Sequence, residues 1–227
     1  MLSEFMSFLR GDVTFASLIA QFGALLFVLF CTLPIHEFAH AKVADMLGDD
    51  TPRLTGRLSL NPLAHLDLIG SIMILAVGFG YAKPVKVNMR NFKNPRGGMA
   101  LTALAGPVSN LIMAFLFAFL STLFYSLSDS GNLIFSVAGN FFFFAGYVNI
   151  SLAVFNFLPI PPLDGSRIAT LLIPSKYYFK IMQYERIIMI ALMLLIFMRV
   201  LSIPLNWLTG VVAKGIFGLW EHVFGVI

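Results

Sequence analysis

Between Arg96 and Asp129 the chain carries no charged side chain, and the same holds from Val13 to Ile35 and from Ser130 to Leu163. Each run exceeds the ~20 residues that a helix needs to cross a hydrocarbon core of ~30 Å. In lipid no water pairs with the backbone, so a spanning segment must satisfy its own N–H and C=O groups, as a helix does. The whole chain is 59% hydrophobic and 11% charged, against about 25% charged in soluble domains. A soluble globular fold is therefore excluded. The expected fold class is an all-α membrane protein: a polytopic transmembrane helix bundle, with a short re-entrant or β-hairpin region after the first span.

The run from 13 to 35 is expected to continue as helix to Leu47, with Gly48 as its C-terminal cap. Pro34 lacks an N–H and should disturb this helix one turn earlier, at the Phe30 carbonyl. A second span is expected over about 99–126. A third should follow the polar turn Ser128–Asn132 and end near Phe157, because Pro159, Pro161 and Pro162 cannot continue a helix. Residues 187–203 read as a further span, whereas 205–227, with Lys214, Glu221 and His222, suit an interfacial helix or a crossing. The region 48–98 differs. Leu54, Gly56, Leu58 and Leu60 alternate with Thr55, Arg57 and Ser59, which suggests a strand, and Val85 and Val87 suggest a shorter one. Leu68–Ala82 is apolar but short and rich in glycine, hence expected to be re-entrant. One integral-membrane domain over 1–227 results, with its core at 13–175 and C-terminal helices at 176–227.

Charge placement orients the spans. Lys42, Arg53, Arg57, Lys83, Lys86, Arg90, Lys93 and Arg96 follow the first, and Arg167, Lys176, Lys180 and Arg186 follow the third; the turn between the second and third has no cation. By the positive-inside rule the ends of the first and third spans face the cytoplasm, provided Leu68–Ala82 does not cross. The formal charge of +4 thus reads as orientation in a membrane lipid environment, not as nucleic-acid binding. Glu4, Arg10 and Asp12, with no small-residue cleavage site, argue for a retained first helix. The single cysteine, Cys31, excludes an intrachain disulfide framework.

His36-Glu37-Phe38-Ala39-His40 closes the first run, where ionisable groups are costly: a charge at bilayer centre costs about 2.5–3.5 kcal/mol on insertion scales. Positions i and i+4 share a helix face roughly 6 Å apart, so the two imidazoles can share one cation, while Glu37 stands beside it as a base. A catalytic zinc takes three protein ligands and keeps a fourth position for water. Asp45, His65, Asp67, Asp129 and Asp164 are candidates for the third. Asp45 lies about 140° round the same helix and Asp129 in the turn at the far side. Asp164, in Leu163-Asp164-Gly165 after the three prolines, is free to turn back towards the histidines and is favoured.

His36–His40 at the end of one span and Asn156-Phe157-Leu158-Pro159-Ile160-Pro161-Pro162-Leu163-Asp164-Gly165 at the end of a later one resemble the site-2 protease family of intramembrane zinc metalloproteases. Segments Gly56–Pro62, Ala82-Lys83-Pro84 and Ala105-Gly106-Pro107 with Asn110 are similar to those of compact prokaryotic members without PDZ or CBS domains. The likeness covers roughly residues 20–175, and Ser166 stands where many relatives carry a second glycine. It implies one Zn²⁺ per chain held by His36, His40 and Asp164, with Glu37 as the catalytic base. It implies Asn156 as a donor to the substrate backbone or oxyanion, beside the alternative of a packing asparagine facing Asn149. His65 matches a recurrent position without an assigned role. The substrate would be a transmembrane protein segment, unwound and clamped by strand addition along Leu54–Leu60. The oligomeric state is not determined by the residues. A transporter with a divalent-cation or proton transit site and an adaptor holding a structural metal are the alternative readings.

Overall fold

The computed structural model describes residues 14–68, 70–72, 83–128, 132–173 and 175–225. Helix α1, Phe15–Phe27, starts at Thr14, whose hydroxyl accepts from the Ser17 N–H at 3.2 Å. It passes through a π turn, Val28–Thr32, into α2, Leu33–Met46. The reason is local. Pro34 offers no N–H, and the Leu33 N–H reaches back five residues to the Val28 carbonyl, so one turn widens before the helix resumes. The Thr32 hydroxyl donates to the same carbonyl at 3.2 Å. Gly48, at φ 103°, stops α2 where the sequence pattern expects it.

The strands expected in 48–98 do not form among the described residues. Thr51–Leu54 is a helical turn (α3), Gly56 turns the chain at φ 69°, and the Arg57 and Leu58 N–H groups donate back to the Pro52 carbonyl. The alternating leucines find no neighbouring ladder, and local turn bonds take the amides instead. Pro62–His65 forms α4, capped by the Asn61 side chain. Segment 83–88 has no regular structure: its Lys83 N–H donates to the His65 carbonyl and its Asn88 N–H to the Asp49 carboxylate. The re-entrant expectation for Leu68–Ala82 falls on residue 69 and residues 73–82, which lie outside the described residues.

Helix α5, Pro95–Leu127, opens on an Asn94 cap with Pro95 in its first turn. Helix α6, Leu133–Asn156, opens on Asn132 and ends before the prolines, as expected. Together with Phe15–Met46 these are three helices long and apolar enough to cross a membrane. The bundle packs closely because small residues line its seams: Ala24, Ala114, Ala118, Ala145 and Ala153 are completely buried. Phe117 and Val28 fill one seam, and Phe217, Ile150 and Val154 the other.

After α7, Asp164–Ile168, come α8, Ser175–Met182, α9, Glu185–Phe197, and α10, Ser202–Val223. The expected span over 187–203 is not one helix. Helix α9 has 13 residues, about 20 Å at 1.5 Å per residue and short of a ~30 Å core. Arg199, at φ 60°, breaks the chain before α10. Helix α10 lies against α5 and α6, and its Trp220 indole N–H donates to the Phe115 carbonyl at 3.1 Å.

Candidate metal centre

Two separate segments converge on one point. Helix α2 carries His36 and His40 one turn apart, with ring centroids 4.6 Å apart and edge to face. Asp164 arrives from the other end of the fold, on the first residue of α7. Its approach depends on Gly165. A Cβ there would lie 2.3 Å from the Phe157 carbonyl oxygen and 2.4 Å from that of Leu158. Only a glycine lets the proline-rich loop fold back onto the end of α6. The Ser166 hydroxyl then ties the turn by donating to the Leu163 carbonyl at 2.7 Å.

The donor atoms form a triangle. His36 Nε2 lies 3.0 Å from His40 Nε2, and Asp164 Oδ2 lies 3.4 Å and 3.2 Å from them. Tetrahedral zinc with bonds of 2.0–2.1 Å spaces its ligands about 3.4 Å apart. The three atoms therefore fit a single small cation with one face left open. His40 Nδ1 lies 2.7 Å from the Thr102 carbonyl oxygen of α5. A carbonyl only accepts, so Nδ1 carries the proton and Nε2 presents its lone pair towards His36. With the His36 proton likewise on Nδ1, which has no other partner, two imidazole lone pairs and a carboxylate oxygen would converge on one point, a donor set suited to a cation.

His36, Glu37 and His40 are 4%, 9% and 7% exposed, so all three are withdrawn from the surface. They line one cavity of about 380 Å³ with Thr102, Asn156, Asp164 and Arg167. Asn156 is half-buried and donates to the Leu152 carbonyl of its own helix at 3.0 Å. Asn149 likewise donates to Ala145, so the two asparagines turn to their own helix and not to each other. The remaining third-ligand candidates are elsewhere. Asp45 pairs with Arg53 through two bonds of 3.0 and 2.8 Å. His65 is buried on α4, with Nε2 2.7 Å from the Ser59 carbonyl oxygen. Asp67 caps the Gly70 N–H, and Asp129 lies outside the described residues. Thr102 had no signal in the sequence, because its contribution is a backbone carbonyl.

The profile of peptidase family M50 matches residues 125–199. A Bacillus subtilis protein named "Putative zinc metalloprotease YwhC" is 46% identical over 162 residues, 71% of this chain and 74% of that protein. The chain belongs to peptidase family M50, the site-2 type of intramembrane metalloprotease. Rip2 of Mycolicibacterium smegmatis is 33% identical over 59% of the chain, and MJ0611 of Methanocaldococcus jannaschii 32% over 44%; both carry the same zinc-metalloprotease description. The chain spans about half the length of each of these two. No solved structure matches it significantly. Nothing in these comparisons supports a transporter.

Proposed function

We propose that this M50 chain is a zinc endopeptidase that cleaves transmembrane segments of other proteins at a site near the cytoplasmic face. In this reading residues 1–227 act as one membrane domain. His36, His40 and Asp164 hold the ion, Glu37 is the catalytic base, and Asn156 binds the substrate backbone. The observation that carries it is the donor triangle of 3.0, 3.2 and 3.4 Å, built from residues 36, 40 and 164 inside an apolar bundle.

When bound, Zn²⁺ acts as a Lewis acid on the scissile carbonyl and brings the pKa of water to about 7. The chain supplies the rest. Glu37 accepts a proton from the attacking water and returns it to the departing amine, so one water yields one carboxylate and one amine. The Asn156 amide keeps a second N–H beyond the one given to Leu152, and that hydrogen is available to a substrate carbonyl. Leu25, Val28, Leu29, Leu152 and Phe155 line the same cavity and suit an apolar segment. The basic residues after the first and third spans support a cytoplasmic location.

Glu37→Gln is the test, made on purified protein in liposomes with a transmembrane peptide. Cleavage should fall by at least about a hundredfold, with one zinc still bound per chain. Undiminished cleavage would remove Glu37 as the base, and a zinc-free wild-type protein would remove the metal centre.

A further inference from the structure

Helix α5 meets the two imidazoles with bare backbone. A Cβ built on Gly106 would lie 2.2 Å from His40 Nε2, 2.5 Å from His40 Cε1 and 2.6 Å from His36 Cε1. Unbonded heavy atoms favour about 3.5–4.0 Å, so each approach is prohibitive. The rings have little freedom to retreat. They meet edge to face, both are buried, and His40 is held through Nδ1 by Thr102, one turn earlier on the same face of α5. The hydrogen bond draws α5 towards the histidines, while any side chain at position 106 would drive it away.

The distance itself is informative. At 2.2 Å from Nε2 and 2.5 Å from Cε1 of the same imidazole, a side chain would overlap the ligand ring itself, and the ring would have to turn out of place. We propose that Gly106 is a positioning residue of the metal centre: by lacking a side chain, it lets α5 approach closely enough for Thr102 to orient His40 while both ligand rings keep their space. This role rests on the metal-centre reading above. Glycine disfavours helix interiors relative to alanine, so its presence in the middle of α5 runs against local propensity and calls for a reason of this kind. Pro107, also inside α5, donates no N–H to the Ala103 carbonyl and loosens the same turn.

The test uses the full chain purified in detergent, with zinc counted by elemental analysis and affinity measured against a competing chelator. Gly106→Ala should bind zinc at least about tenfold more weakly than wild type, the range seen when ligand-orienting contacts are lost. Gly23→Ala, with nearest neighbours at 3.6 Å, and Gly210→Ala, with none within 4 Å, should bind as wild type. A second comparison separates clearance of the rings from helix packing. In the H36A/H40A background Gly106→Ala should leave the melting temperature unchanged or higher, because the clashing atoms are gone; the same applies if Gly106→Ala alone fails to fold. Wild-type zinc affinity in Gly106→Ala, or an undiminished loss of stability in the H36A/H40A background, would overturn the proposal. A wild-type protein that binds no zinc would instead overturn the metal-centre reading, and this role with it.

Discussion

Asp49 is completely buried just past the end of α2 and is the acceptor on which three parts of the chain meet. Its Oδ1 accepts from the Thr51 N–H at 3.1 Å, the Thr51 hydroxyl at 2.5 Å and the Asn91 amide at 2.8 Å. Its Oδ2 accepts from the Asn88 N–H at 2.7 Å. Asp49→Asn keeps the shape and replaces one oxygen with a donor. With the amide oxygen at the Oδ1 place, the new NH₂ faces the Asn88 N–H; with the amide flipped, it faces three donors. Neither orientation satisfies the site. A buried donor without an acceptor costs about 1–3 kcal/mol, and bonds to a charged group are worth about 1.5–3 kcal/mol against roughly 1 for neutral ones. The expected loss is on the order of 2–4 kcal/mol, or about 4–16 °C in melting temperature at ~2–4 °C per kcal/mol for a chain of this size. The pH dependence has a definite sign. Burial raises the Asp49 carboxyl, but the bonds from Thr51, Asn88 and Asn91 outweigh it and set it below the ordinary value. The carboxylate therefore stabilises the fold fully above the ordinary carboxylate range, and that contribution declines below this range and is lost as pH falls through the lowered folded-state value. Scanning fluorimetry in detergent should show the full gap between wild type and Asp49→Asn at neutral pH and a shrinking gap below about pH 4. A variant that melts within about a degree of wild type at neutral pH would refute the reasoning.

Two further outcomes concern the metal centre. Gly165→Ala places a methyl against the Phe157 and Leu158 carbonyl oxygens, which are backbone and cannot turn away, so Asp164 should leave the donor triangle; elemental analysis should find well under one zinc per chain, and full occupancy would refute the role of the turn. Chelation of wild-type protein should lower its melting temperature, since zinc at a thousandfold above its Kd contributes about 4.1 kcal/mol to the folded state. Asp164→Asn should lose most of that zinc dependence, and an unaltered zinc-induced shift in this variant would remove Asp164 from the ligand set.

The parts legible in the sequence were those governed by short-range rules. Charge-free runs gave the long helices, Gly48 and the triple proline gave their ends, and the i, i+4 histidines gave two donors of the triangle. Asp164 was favoured because two of its alternatives, Asp45 and Asp129, could be placed on another face and at the far side, and because the prolines before it free the chain to turn back. His65 and Asp67 had no such mark against them. The failures share a cause. The alternation from Leu54 to Leu60 is a strand signal only if a neighbouring strand exists, and Thr51-Pro52 instead starts a helical turn that takes the following amides. The apolar run 187–203 gave no warning that Arg199 would adopt φ 60° and divide it. Thr102 and Asp49 act through pairings 62 and 39 residues away in sequence, and no local pattern announces a partner at that distance.

The position of the triangle along α2 explains how ionisable donors and an apolar substrate can share one site. His40 is two residues from the exposed Lys42, about 3 Å along the axis, and His36 is about 9 Å from it. The donors thus lie near one end of the span, where the cost of a polar group is well below its value at bilayer centre. Leu25, Val28 and Leu29 lie 7–11 residues before His36, roughly 10–16 Å further along the same rod, and they line the same cavity as the donors, Arg167 and Glu185. One continuous space therefore joins apolar depth to charged groups. Peptide hydrolysis at this point requires both: an apolar segment that leaves lipid and a water that does not enter it. A site at mid-membrane would have had to carry water past the Leu25–Leu29 wall, and a site beyond Met46 would have had no apolar surface to receive the segment.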